Sequence, residues 1–276
     1  MASSLQPYNK PYKTEQELIQ LLKRRGLVIN DEASAEHYLS HISYYRLSAY
    51  MLPFQQASGQ HKFRNNVVFE DILDLYIFDR ELRLLVMDAI ERIEVSVRAA
   101  MISKLSSRHG IRWHESSLLF RDQQQHQSFG HKLHAECNNV GKRDVFIDHY
   151  MSKYQGYPPC WMALETITFG TLSKLYSNLK RNSDRRIISE QFDIHHRVFV
   201  SWLRTLSYIR NVCAHHARLW NRDLGVMPNL LYYNPHKPWL LLTYNNNRRI
   251  FFSLSIIAYL LQHINPQGSF RQKVKA

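Results

Sequence analysis

"VFEDILDLYIFDRELRLLVMDAIERIEVSVRAAMISKL", residues 68–105, is the longest periodic segment of the chain. Ile72, Leu75, Leu82, Val86, Ala89, Ile90, Ile93 and Val97 recur at helical spacing, which predicts one long helix. Asp79 falls on that apolar stripe. A buried carboxylate is costly without a partner, so Asp79 reads as half of an ion pair with a nearby arginine. The alternative is an acid that orients a catalytic group.

The same reading extends in both directions. Thr14 and Glu17 form a capping-box pattern at the head of a helix over 14–25, and Gly26 suits the position just past its end. Asp31 caps a second helix, expected to run unbroken to Pro53. Residues 59–66, "GQHKFRNN", read as a loop. Two shorter helices are expected between Ser106 and Asp148, with "RDQQQHQ" (121–127) exposed. Pro158 and Pro159 start a helix over "CWMALETITFGTLSKLYSNL". "KRNSDRR" (180–186) reads as a basic linker. Another long helix is expected from Ile194 to about Asn221. A loop with two prolines, an apolar helix from about Arg249 to Ile264 and a frayed basic tail complete the chain. No alternating run is long enough for a sheet, so the fold class is all-α, a multi-helix bundle.

Composition narrows the function. The chain has 276 residues, 45% of them hydrophobic, which is enough to build a core. Its net charge of +13 points to a polyanion, either nucleic acid or an anionic membrane surface. No apolar run is long enough to span a bilayer, and the N-terminus lacks an apolar signal core, so a cytoplasmic protein with no membrane association is expected. Three scattered cysteines make neither a disulfide framework nor paired zinc spacing.

"RNVCAHHARLWNR", residues 210–222, carries the candidate chemistry. Arginine followed by histidine after four to six residues is a pattern known for RNA cleavage, but the spacing alone is weak. Five such pairs occur here: Arg108/His114, Arg121/His126, Arg143/His149, Arg210/His215 and Arg210/His216. Context separates the last two. At about 100° per residue, Trp202, Leu206, Ile209, Cys213, His216 and Trp220 fall on one stripe, expected to face the core. Opposite lie Arg197, Arg204, Asn211, His215, Arg218 and Arg222, a face with four arginines and no acid. Such a face suits a bound anion. On this projection His216 packs, while His215 faces the basic side one turn after Asn211, which can hydrogen-bond its ring and fix the tautomer. Arg210 projects beside the apolar stripe, about 140° from His215. One straight helix does not aim both at one phosphate. Either the helix opens near His215, or a second copy completes the site.

Four stretches in this order resemble the Abi family of bacterial abortive-infection proteins, the AbiD/AbiF-like group of the HEPN superfamily. They are residues 21–54, "FEDILDLYIFDRELRLLVMDAIERIEVSVRA" (69–99), "YPPCWMALETITFGTLSKLY" (157–176) and "YIRNVCAHHARLWNR" (208–222). The family's arginine–polar–x–x–x–histidine motif falls on Arg210, Asn211 and His215. The resemblance implies a HEPN-type bundle over 59–276 with an N-terminal helical region over 1–58. It also implies a metal-independent endoribonuclease without cofactors, leaving 2′,3′-cyclic phosphate ends. HEPN sites commonly form where two motif helices meet across a two-fold axis, so a homodimer would bring two copies of Arg210 and His215 to one cleft. Arg197, Arg204, Arg218 and Arg222 would grip phosphates, and Tyr45 and Arg46 would stack and clamp unpaired bases. For Tyr44 and Tyr45, packing inside a helix interface is the competing reading. Phage defence is implied, with RNA as substrate and a small regulatory RNA as a restraining partner.

Three rival classes stand beside this one. A non-catalytic RNA-binding defence protein would show the same basic surface. A metal site using His215 and His216 with His195 or His196 is disfavoured, because adjacent helical histidines point about 100° apart and no acid or cysteine completes a ligand set. A membrane-surface protein rests on net charge alone.

Overall fold

In the computed structural model, the apolar periodicity of 68–105 becomes a single helix, Phe69–His109. The structure describes residues 7, 9–57, 59–139, 141, 144–229 and 247–275. Most of the two-proline loop, and Arg143 of the Arg143/His149 pair, lie outside the described residues. Among those described, the architecture is all-α; three isolated bridges, Val28 to Val68, Gln55 to Phe63 and Phe120 to Leu179, are its only β-type pairings. No described helix is long and apolar enough to cross a membrane. The chain divides into two compact units, Met1–Glu81 and Leu82–Ala276.

The first unit contains α1 (Glu15–Arg24), α2 (Glu32–Ile42), α3 (Tyr44–Met51) and the start of α4 (Phe69–His109). At the head of α1, the Glu17 N–H donates to Thr14 Oγ1 (3.3 Å), and the Thr14 N–H donates to Glu17 Oε2 (2.8 Å). Both halves of the predicted capping box therefore form. The helix closes in a Schellman turn: the Gly26 N–H bonds Lys23 O (2.9 Å), the Leu27 N–H bonds Leu22 O (3.1 Å), and Gly26 adopts φ 89°. Ile19, Leu22, Leu39, Leu47, Phe69 and Ile72 build this unit's core.

The single helix expected from Asp31 to Pro53 is in fact two. Ser43, at φ 70° and ψ 144°, ends α2, and its Oγ accepts from the Arg46 N–H (3.4 Å) to cap α3. The apolar pattern runs through this break, so periodicity alone conceals it. Asp79 is fully buried and accepts a 2.6 Å hydrogen bond from the Tyr50 hydroxyl.

In the second unit, Val86, Ala89, Ile90, Ile93, Val97 and Met101 of α4 share one core with α8 (Phe169–Asn178), α10 (His196–Ala214) and α11 (Ile250–Ile264). Around them lie α5 (Gln123–Asn138), α6 (Val145–Lys153), α7 (Cys160–Ala163), α9 (Asn182–Ser189) and α12 (Phe270–Lys275). The helix expected after Pro159 is also split, because Thr168 Oγ1 accepts from the Thr171 N–H (3.3 Å) and restarts it as α8. Gly170 follows immediately, where a Cβ would come within 3.1 Å of Ser207 Oγ; the missing side chain lets α8 approach α10.

The stretch expected to be a basic linker folds as α9. Its Asp184 is buried and accepts from Arg108 Nη1 (2.9 Å), with His109 Nε2 at 3.2 Å. His126, expected on an exposed stretch, is buried instead. It stacks on Phe120 at a centroid distance of 4.3 Å, and its Nε2 lies 2.9 Å from His114 O.

Candidate functional site

The buried face of α10 is the predicted one. Trp202, Leu206, Ile209 and Cys213 lie in the core, and Trp202 Nε1 donates to Asn229 O (3.0 Å). Arg197, Arg204 and Asn211 are exposed on the other side. The helix then stops at Ala214, well short of Asn221. The His216 N–H bonds Cys213 O and the Ala217 N–H bonds Val212 O, both at 3.0 Å. These are the two bonds of a Schellman turn, with His215 as the C-cap and His216 at φ 54° in the glycine-favoured position. The turn lets Leu219 and Leu224, both buried, rejoin the core.

Three expectations change as a result. His216 is exposed in a left-handed turn and does not pack on the apolar stripe. Arg218 and Arg222 follow the turn and do not continue the basic face of α10. Both are half-buried; Arg222 Nε donates to Tyr208 Oη (3.3 Å) and Arg222 Nη1 to Arg218 O (3.4 Å), so Arg222 is partly committed to the fold. Asn211 does not hydrogen-bond the His215 ring: among the described residues no hydrogen bond reaches the Arg210 guanidinium, the Asn211 amide or that ring.

The segment beyond the turn is pinned by its neighbours. Arg249 Nη1 donates to Asn221 O (2.8 Å), Arg248 Nε pairs with Asp223 (2.9 Å), and the Leu224 N–H bonds Arg248 O (2.9 Å). The motif therefore sits at a fixed helix end. Arg210 is half-buried, and Asn211 and His215 are open to solvent.

In the first unit, the two adjacent tyrosines have different environments. Tyr44 is half-buried and accepts from Arg25 Nη1 (2.8 Å), as the packing reading expects. Tyr45 is 89% exposed, next to the exposed Arg46.

His114 is a buried histidine of a different kind. Burial first, and then the neighbouring Arg112 and His126, push its pKa down to about 4. It is a neutral core group. Among the described residues, no cluster of three or more His, Cys, Asp or Glu side chains is placed to hold a metal ion.

A family model described as Abi-like protein matches residues 37–221. The chain belongs to the Abi-like protein family. The Abi-like match begins within α2 and takes in α4, α8, α10 and the whole turn from Arg210 to His216. It ends one residue before Arg222. Membership supports a general role in abortive infection and phage defence. Neither the curated proteins nor the solved structures yielded a match.

Proposed function

We propose that this Abi-like protein is a metal-independent endoribonuclease of HEPN type, acting as a toxin-like effector in phage defence. The observation that carries the reading is the state of the motif. Arg210 and Asn211 lie close to the end of a core helix and His215 at its C-cap, and their side chains are without hydrogen-bond partners among the described residues. Solvent-accessible polar groups that no protein partner engages are available to a ligand.

The chemistry follows from the residue types. The ribose 2′-hydroxyl loses its proton to an imidazole as its oxygen attacks the adjacent phosphorus. The bond from phosphorus to the 5′-oxygen breaks, and a second imidazole, as imidazolium, returns a proton to that oxygen. The products are a 2′,3′-cyclic phosphate and a 5′-hydroxyl, with no net change in protons. Histidine suits both roles because its side chain titrates near neutral pH, and each transfer contributes roughly 10²–10⁴ in rate. The Arg210 fork would stabilise charge growing on the phosphate oxygens, and Asn211 would hold one of those oxygens. A homodimer supplies the second His215 and brings Arg210 from each chain toward one cleft. Arg197 and Arg204 would bind flanking phosphates, with Arg218 and Arg222 after them. Tyr45 and Arg46 would stack an unpaired base. A small regulatory RNA is a fitting restraint for so basic a protein.

The test compares wild type with His215→Ala in RNA cleavage and RNA binding. Cleavage is expected to be lost while binding persists. If wild type binds RNA and never cleaves it, the protein is a non-catalytic RNA-binding defence factor.

A further inference from the structure

A cluster of arginines lies at the opposite end of α10 from His215. Arg121 Nη2 and Arg185 Nη1 both donate to one carbonyl oxygen, that of Ser177, at 2.5 and 3.4 Å. Two guanidinium groups thus meet at one atom without a carboxylate between them. Ser177 is in the last turn of α8, where a cation is favourable, but a helix end carries only about half a negative charge. That offsets neither guanidinium in full. The acid of α9, Asp184, is buried and already bonded by Arg108.

The cluster extends to the start of α10. Tyr176 of α8 donates to Arg185 O (2.9 Å) and packs edge-on against Phe199 of α10 at 5.3 Å, which ties the three helices together. His196 is 3% exposed, and its Nδ1 is buried without a hydrogen-bond partner. Its pKa is lowered by burial and then by the neighbouring His195, Arg197, Arg186 and Arg121, so these groups share one electrostatic neighbourhood. Arg121, Arg186 and Arg197 are exposed. From here the exposed face of α10 continues through Arg204 to Asn211 and His215. The helix has 19 residues, a length of about 28 Å at 1.5 Å per residue.

We infer that Arg121 and Arg186, with Arg197, form a second RNA-backbone site that holds substrate phosphates several nucleotides from the bond cut at His215, with the buried Arg185 adding positive charge behind them. The inference rests on the reading of RNA as substrate, but not on cleavage. The site binds phosphate, so it would set the length of RNA that binds well and not the sequence. Arg121 and Arg185 also brace the end of α8, whereas Arg186 makes no side-chain bond to the protein among the described residues and is the cleaner position to change.

The experiment measures binding of fluorescently labelled single-stranded RNA of 5 and 20 nucleotides to full-length protein, with His215→Ala as the background. Salt is varied, and Arg186→Glu and Arg121→Gln are compared with it. Thermal melts confirm folding, and Arg186→Glu alone decides if Arg121→Gln unfolds. The long RNA is expected to bind at least about tenfold more weakly, and each phosphate no longer held should make the slope of log affinity against log salt shallower by about one. The short RNA should bind as before. Unchanged affinity and slope for the long RNA in Arg186→Glu would overturn the inference, as would equal losses for both lengths. A wild type that binds but does not cleave would instead count against the proposed nuclease while leaving this site standing.

Discussion

His216 adopts a left-handed backbone conformation that costs a non-glycine residue roughly 1–2 kcal/mol. His216→Val is therefore expected to be less stable than His216→Gly by about 1 kcal/mol or more, by urea unfolding. A histidine packed on the apolar stripe would give the opposite order. His215, one residue earlier, is exposed at the C-cap and contributes little packing. His215→Ala should leave the melting temperature unchanged and reduce RNA cleavage at least about 10²-fold. Equal loss of activity in His215→Ala and His216→Ala would mean that the two histidines do not divide the roles in this way. The three motif residues are recognisable in sequence by type and spacing. Their freedom from partners is not, because it depends on what the rest of the fold leaves unfilled.

At the level of elements, α10 joins the motif to the core. Phe199 is fully buried, stacks on Phe192 at 5.0 Å and meets Tyr176 at 5.3 Å. Phe199→Ala should cost about 3–5 kcal/mol, measured by denaturant unfolding, and lose activity through stability. A variant that keeps full stability yet loses activity would contradict that account. Helices whose ends carry local chemistry are legible from sequence: α1 begins at Thr14 and Glu17 and ends at Gly26 as their types dictate, and α4 follows its apolar repeat. The boundaries that sequence misplaces have a common cause. Ser43 and Thr168 interrupt apolar patterns that continue on either side, and only a side-chain cap reveals the break. The end of α10 has no glycine or proline to mark it; the turn is imposed by Leu219 and Leu224 returning to the core. The helix α9 depends on Asp184 meeting Arg108, 76 residues away in sequence, a pairing that no local pattern encodes. The shared grip of Arg121 and Arg185 on Ser177 is hidden for the same reason.

Across the whole molecule, charge and protonation link stability to function. The +13 charge favours a polyanionic partner, and binding should weaken steeply with salt. His114 makes stability depend on pH. Its folded pKa of about 4 lies below the ordinary 6.5, so the unfolded chain binds more protons between those values. Stability is therefore complete above about pH 6.5 and falls as pH drops toward 4, by up to about 3 kcal/mol. His114→Leu should flatten that part of the profile in pH-dependent melts; an unchanged slope would assign it to other groups. A composite site further predicts that specific activity falls on dilution as dimers dissociate, whereas a one-chain site would show no such fall. The most direct measurement is RNA cleavage by purified protein in EDTA, wild type beside Arg210→Ala and His215→Ala, with the product ends identified. The account predicts cleavage that survives EDTA, requires both residues and leaves 2′,3′-cyclic phosphate and 5′-hydroxyl ends. Cleavage abolished by EDTA, retained in either variant, or leaving 5′-phosphate ends would contradict it.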